Sequence, residues 1–116
     1  MCTEFLQLKQ GFLQGLVGRQ ERLLEAWLQL KQAGLEQDAP WQQKALQALH
    51  KEVHNLAGAA GAYGLEPLSQ QARAAERLIW AVLPSMAASQ ALEWQELHWV
   101  FAALITLLEA EITSQT

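Results

Sequence analysis

The apolar residues of the chain recur with the period of an α-helix almost throughout, and no segment of useful length alternates as a β-strand does. Proline is scarce and stands at segment edges, at Pro40, Pro67 and Pro84. Gly15 and Gly18 predict a bend between the first two segments. The pattern predicts five helices, with approximate bounds 3–16, 19–32, 40–62, 66–83 and 90–112.

The longer segments each carry an apolar stripe on one face, and these stripes are the expected core. Four amphipathic helices joined by short loops predict an all-α fold, an antiparallel four-helix bundle with an additional N-terminal helical segment. In chain order, the expected stripes are Leu23, Leu24, Trp27 and Leu28; Leu46, Leu49, Val53, Leu56 and Ala60; Leu68, Ala72, Ala75, Ile79 and Val82; and Trp94, Leu97, Phe101, Leu104, Leu108 and Ile112.

Composition narrows the class of protein. The 116 residues fit one domain over 1–116, and with 51% apolar and 17% charged residues the chain can bury a core. A net charge of −4 argues against nucleic-acid binding. No stretch has the length of a membrane span or the pattern of a secretory signal, and the single cysteine, Cys2, fits a reducing compartment. We therefore expect a soluble cytoplasmic monomer, or a soluble domain of a larger chain.

The chemistry of the sequence is concentrated in the run 54–64, HNLAGAAGAYG. Glycine inside a helix costs roughly 1 kcal/mol relative to alanine. The glycines of this run therefore serve some purpose other than the stability of the helix. His54 lies about 120° from the centre of its helix's apolar stripe, which predicts an exposed imidazole at the edge of the bundle. Its flank is expected to be open to a visiting surface, and it also contains His50, Ala57, Gly58 and Gly61.

This run resembles the histidine-containing phosphotransfer (HPt) domain family. The family's motif is His-x-Leu-Lys-Gly, with a second glycine six residues later and a leucine four residues further on. The matching positions here are His54, Leu56, Gly58, Gly64 and Leu68. The order of helices before and after the motif also fits, so the resemblance covers most of the chain.

One departure from the family pattern is Ala57, which stands where the usual lysine helps to hold the phosphoryl group. The departure leaves the nucleophile in place but removes a positive charge. Lys51 and Arg73 lie near the same face by helical spacing, and either is a candidate to meet a phosphoryl group or an acidic partner surface. The alternative for both residues is ordinary solvated surface charge.

The resemblance implies a phosphorelay. His54 would accept a phosphoryl group from the aspartate of a receiver domain, in a response regulator or a hybrid histidine kinase, and pass it to another receiver. The receiver would supply Mg²⁺ and the acidic pocket, so no cofactor is expected on this chain, and without an ATP site we expect no autokinase activity. In the family a Gln or Glu on the next helix bonds the active histidine, which makes Glu76 the candidate to orient the ring, unless it is an ordinary exposed glutamate.

Other interpretations remain open at this point. A non-catalytic adaptor that docks receiver or kinase domains is the main alternative, because of Ala57. His50 and His54 have the spacing of two metal ligands on one helix face, but no third ligand is obvious. Trp80 and Trp99 lie off their helices' stripes, where they form an exposed patch for a partner or, as we expect, pack against the N-terminal segment.

Overall fold

The computed structural model describes the backbone of residues 3–35, 39–82 and 91–114, and the side chains of residues 3–32, 42–80 and 95–114. Some sequence predictions concern parts of the chain outside these residues and stay predictions. These parts are Cys2, the loop around Pro84 and the side chains of Val82 and Trp94. Within the described part the chain forms helices and no strand. The helices are α1 (Thr3–Gln14), α2 (Leu16–Leu35), α3 (Ala39–Ala62), α4 (Glu66–Val82) and α5 (Ala91–Thr113).

Helices α2 to α5 form the predicted bundle. Helix α3 packs between α2 and α4, and α5 packs against both α4 and α2. The predicted stripes of α3 and α4 are buried wherever their side chains are described, and so are four residues of the α5 stripe, namely Leu97, Phe101, Leu104 and Leu108. Among the described residues, no helix is long and apolar enough to span a membrane.

The stripe predicted for α2 is only half right. Leu23 and Trp27 are buried as expected, but Leu24 and Leu28 are exposed, and the stripe continues at Leu30 instead. Each exposed leucine directly follows a buried residue, so it lies about 100° further round the helix and faces solvent. Trp27 joins α2 to α5 by stacking on Phe101, with ring centroids 4.5 Å apart.

Of the two glycines at which a bend was predicted, Gly15 separates α1 from α2, whereas Gly18 lies inside α2. The buried residue of α1 is Phe12. Helix α1 meets the end of α3 through Tyr63, whose ring centroid lies 5.2 Å from that of Phe12 and 5.7 Å from that of Phe5. Aromatic contacts therefore hold this additional helix to the bundle.

The turn between α3 and α4 sets the direction in which α4 returns. Gly64 has φ +78°, a left-handed conformation that glycine adopts without the strain of a Cβ atom. The Leu65 N–H donates to the Ala60 carbonyl at 2.8 Å, and the Gly64 N–H donates to the Gly61 carbonyl at 3.2 Å. These two bonds form a Schellman motif, which ends α3 and turns the chain so that α4 runs back along it.

Candidate functional site

His54 stands on the outer flank of α3, with 65% of its side chain exposed. Its Nδ1 lies 2.5 Å from Oε2 of Glu76, which reaches across from α4. The carboxylate of Glu76 is mostly covered, with 19% of the side chain exposed. The structure thus brings together the histidine and the glutamate that the sequence singled out.

This contact determines where a neutral His54 ring carries its proton. An ionised carboxylate only accepts hydrogen bonds, so the ring nitrogen facing it must be the donor. The proton is therefore on Nδ1, and the lone pair of the neutral ring is on Nε2. A ring in this tautomer, standing at the surface, presents a nucleophilic nitrogen to an approaching molecule.

A second histidine approaches the same carboxylate oxygen. His50 lies one turn before His54 on α3, and its Nε2 is 3.2 Å from Oε2 of Glu76. Its ring also makes a T-shaped contact with the Trp80 ring, with centroids 5.0 Å apart. Sequence reasoning missed the link to Glu76, although the one-turn spacing of the two histidines was a visible signal.

The two ring nitrogens that face Glu76 converge on its oxygen. In the described part of the chain, no group of three or more His, Cys, Asp or Glu residues is arranged to hold a metal ion. Nδ1 of His54 is hydrogen-bonded to this oxygen, and Nε2 of His50 lies within ion-pair distance of it.

The flank around His54 is less open than predicted, because half of it faces α4. Ala57 was placed on the open flank but is buried, with 3% exposure, and its carbonyl accepts a 2.9 Å hydrogen bond from Ser69 Oγ. The physical reason is its direction: Ala57 lies about 60° from the centre of the apolar stripe, half the angle of His54. Its side chain belongs to the contact between α3 and α4.

The two glycines of the flank also differ. A Cβ atom at Gly61 would lie 3.1 Å from Ser69 Oγ and 3.4 Å from Arg73 Nη2, so this glycine permits α4 to come close. The prediction that Gly61 lies on an open surface is therefore wrong. A Cβ atom at Gly58 would have nothing within 4 Å, and Gly58 is exposed. Packing within the described residues gives no reason for glycine at position 58.

Two positive charges lie near this surface. Arg73 is exposed on α4 with its guanidinium beside Gly61, and Lys51 is exposed on α3, three residues before His54. The tryptophans do not pack as expected: Trp80 is 58% exposed and meets His50, and Trp99 is 63% exposed. The outer face of the site thus combines His54, Gly58, a cationic side chain and an aromatic ring.

The comparisons with known proteins agree with this geometry. The family model of the Hpt domain matches residues 7–113, nearly the whole chain. A search of the curated proteins found no significant match, and a search of the solved structures found none either. The family match confirms the resemblance seen in the motif. The chain therefore belongs to the Hpt domain family, the helical-bundle phosphotransfer intermediates of two-component signalling.

Proposed function

We propose that this chain is a phosphorelay intermediate that accepts a phosphoryl group on Nε2 of His54 from the aspartyl phosphate of one receiver domain and passes it to another. The observation that carries the proposal is the bond between His54 Nδ1 and Glu76, in a ring that stands exposed. The bond supports a tautomer whose free lone pair points away from α4. We propose that residues 1–116 act as one such domain, as a cytoplasmic monomer.

In the proposed step, Nε2 attacks phosphorus, the new N–P bond forms, and the P–O bond to the receiver's aspartate breaks. The aspartate leaves as a carboxylate, and the return transfer reverses these changes. Phosphoryl transfer demands in-line placement and charge compensation more than covalent chemistry from the protein. Glu76 supports both demands, because it fixes the ring and its negative charge stabilises the positive charge that the ring gains.

The partner supplies the rest of the chemistry in this proposal. The receiver brings Mg²⁺ and the acidic pocket, while this chain binds no cofactor and has no autokinase activity. The open helix surface at Gly58 gives the receiver a place to approach the backbone of α3 beside His54. Arg73 and Lys51 are the candidates to supply the charge that Ala57 does not.

The test uses a receiver domain phosphorylated beforehand with acetyl phosphate, mixed with the purified chain and Mg²⁺. We expect the chain to gain an acid-labile, base-stable phosphate that the His54→Gln variant does not gain. His98, an exposed histidine on α5, provides the matched control, so His98→Gln should label like the wild type. A label that survives His54→Gln would contradict the proposal.

The second candidate is an adaptor that docks receiver or kinase domains without being phosphorylated. It is favoured by one observation, the buried Ala57 in place of the family's usual lysine. The same experiment separates the two functions when binding is measured alongside labelling. Binding of the phosphorylated receiver with no label on the wild-type chain would favour the adaptor.

A further inference from the structure

The side chain of His50 is held on two sides of its ring. It packs against Trp80 in a T-shaped arrangement, with an interplanar angle of 76°, and lies nearly parallel to the His54 ring, with centroids 5.8 Å apart. Only 20% of the side chain is exposed, and its Nε2 atom is buried. The Glu76 oxygen 3.2 Å away is within ion-pair distance, although the N–H direction falls short of a hydrogen bond.

The proton on this buried nitrogen can be placed by elimination. If Nε2 of His50 carried a lone pair, that lone pair would face a carboxylate oxygen at 3.2 Å, and the two would repel. Nε2 of His50 therefore carries the proton. A buried donor without an acceptor is costly, so a small rotation that directs this N–H at Oε2 is favourable.

The same oxygen of Glu76 then lies between two ring N–H groups, one from each histidine. A carboxylate on a flexible side chain has several rotamers, and a second donor restricts it to the one that faces His54. We infer that His50 is a positioning residue, which holds Glu76 where it accepts the Nδ1–H of His54 and so keeps Nε2 of His54 free. This inference rests on the proposed function, since it concerns the orientation of the proposed phosphoryl acceptor.

The experiment compares His50→Leu, which removes the donor, with His50→Gln, which keeps an N–H donor. Two properties of the full chain are measured: the tautomer of His54, from long-range ¹⁵N–¹H NMR correlations, and the rate of His54 labelling by phosphorylated receiver. His50→Leu should introduce the Nε2–H tautomer of His54 and slow labelling by about 3- to 10-fold, the effect of losing one hydrogen bond. His50→Gln should restore most of both properties, and His98→Leu should change neither.

A double-mutant cycle shows whether His50 acts through Glu76. In a Glu76→Ala background, His50→Leu should have little further effect on the tautomer or the rate, because the acceptor that it positions has already been removed. The inference is overturned if His50→Leu leaves the His54 tautomer unchanged, even when thermal stability falls. It is also overturned if the loss of rate is equally large in the Glu76→Ala background.

Failure of the proposed relay function gives a different result from failure of the positioning role of His50. If the wild-type chain gains no phosphate on His54, the proposed function fails. The tautomer measurement on the unphosphorylated chain still decides whether His50 positions Glu76.

Discussion

Replacement of Gly58 by alanine should make the isolated chain more stable and the phosphorelay slower. Gly58 lies within α3, four residues before the helix ends at Ala62, and a Cβ atom there would meet nothing within 4 Å. Glycine thus lowers the stability of the helix with no compensating contact among the described residues. The added methyl group would project from the surface that we propose for the receiver.

The size of each effect follows from the local structure. Without a clash, Gly58→Ala should raise the free energy of unfolding by about 0.5–1 kcal/mol through helix propensity alone. For a chain of this size, that gain corresponds to a rise in melting temperature of roughly 2–6 °C. In the complex, the methyl group would overpack an interface at a cost of about 1–3 kcal/mol, which slows transfer from the receiver by about 5- to 150-fold.

Labelling with two different phosphoryl donors distinguishes an effect on receiver docking from an effect on the phosphorylation of His54 itself. Phosphoramidate is small enough to reach His54 without contacting position 58, so labelling by it should be unchanged in the variant. Labelling by phosphorylated receiver should be slowed. Gly11→Ala is the matched control, because Gly11 is also an exposed helical glycine with nothing within 4 Å of an added Cβ atom.

Two results would refute the reasoning. A lower melting temperature for Gly58→Ala would mean that the surface beside His54 is not open in the free chain. A higher melting temperature with an unchanged rate from the receiver would mean that no partner approaches the backbone of α3 at this position. The Gly11→Ala control should gain stability and keep the wild-type rate with both donors.

The remaining predictions concern the α3–α4 turn, the contact between these helices and the missing charge. Gly64→Ala should lower the free energy of unfolding by about 1–2 kcal/mol in urea denaturation, because φ is +78°; an unchanged midpoint would contradict this. Gly61→Ala should also destabilise the fold, by about 1 kcal/mol, since the new Cβ atom meets the buried Ser69. In a double-mutant cycle with Ser69→Ala that penalty should shrink, and strict additivity would rule out the clash. Arg73→Gln should slow transfer from the receiver by about 3- to 10-fold at low salt and less at high salt, whereas Lys31→Gln, on α2, should not.

The sequence predicted the bundle and the buried stripe of α3 because helical periodicity is strong there. The positions of that stripe, Leu46 through Ala60, are all fully buried. The pairing of His54 with Glu76 was predicted from the family resemblance, and the exposed position of His54 from its place on the flank of its helix. The order of α3 and α4 and the short turn between them place the two residues on neighbouring helices.

One part of the flank around His54 faces α4 and the other part faces solvent, and this division could not be predicted in the same way. A helical wheel gives the direction of each residue from its own helix axis, but it does not say where the neighbouring helix lies. Because α4 packs beside the stripe of α3, the arc that it covers extends past the stripe to buried Ala57 and half-buried Gly61. The same limit explains why Trp80 was expected against the N-terminal segment when it meets His50.

The small residues of the motif therefore serve two purposes that the sequence alone does not separate. Ala57 and Gly61 face α4, where Ser69 bonds the Ala57 carbonyl and would meet any side chain added at Gly61. They permit the close helix spacing that lets Glu76, two turns along α4 from Ser69, reach His54. Gly58 faces outward and contributes nothing to that spacing. The glycine that costs stability without internal benefit is thus the one beside exposed His54, the phosphoryl acceptor that we propose, which is where a partner's surface would have to come closest.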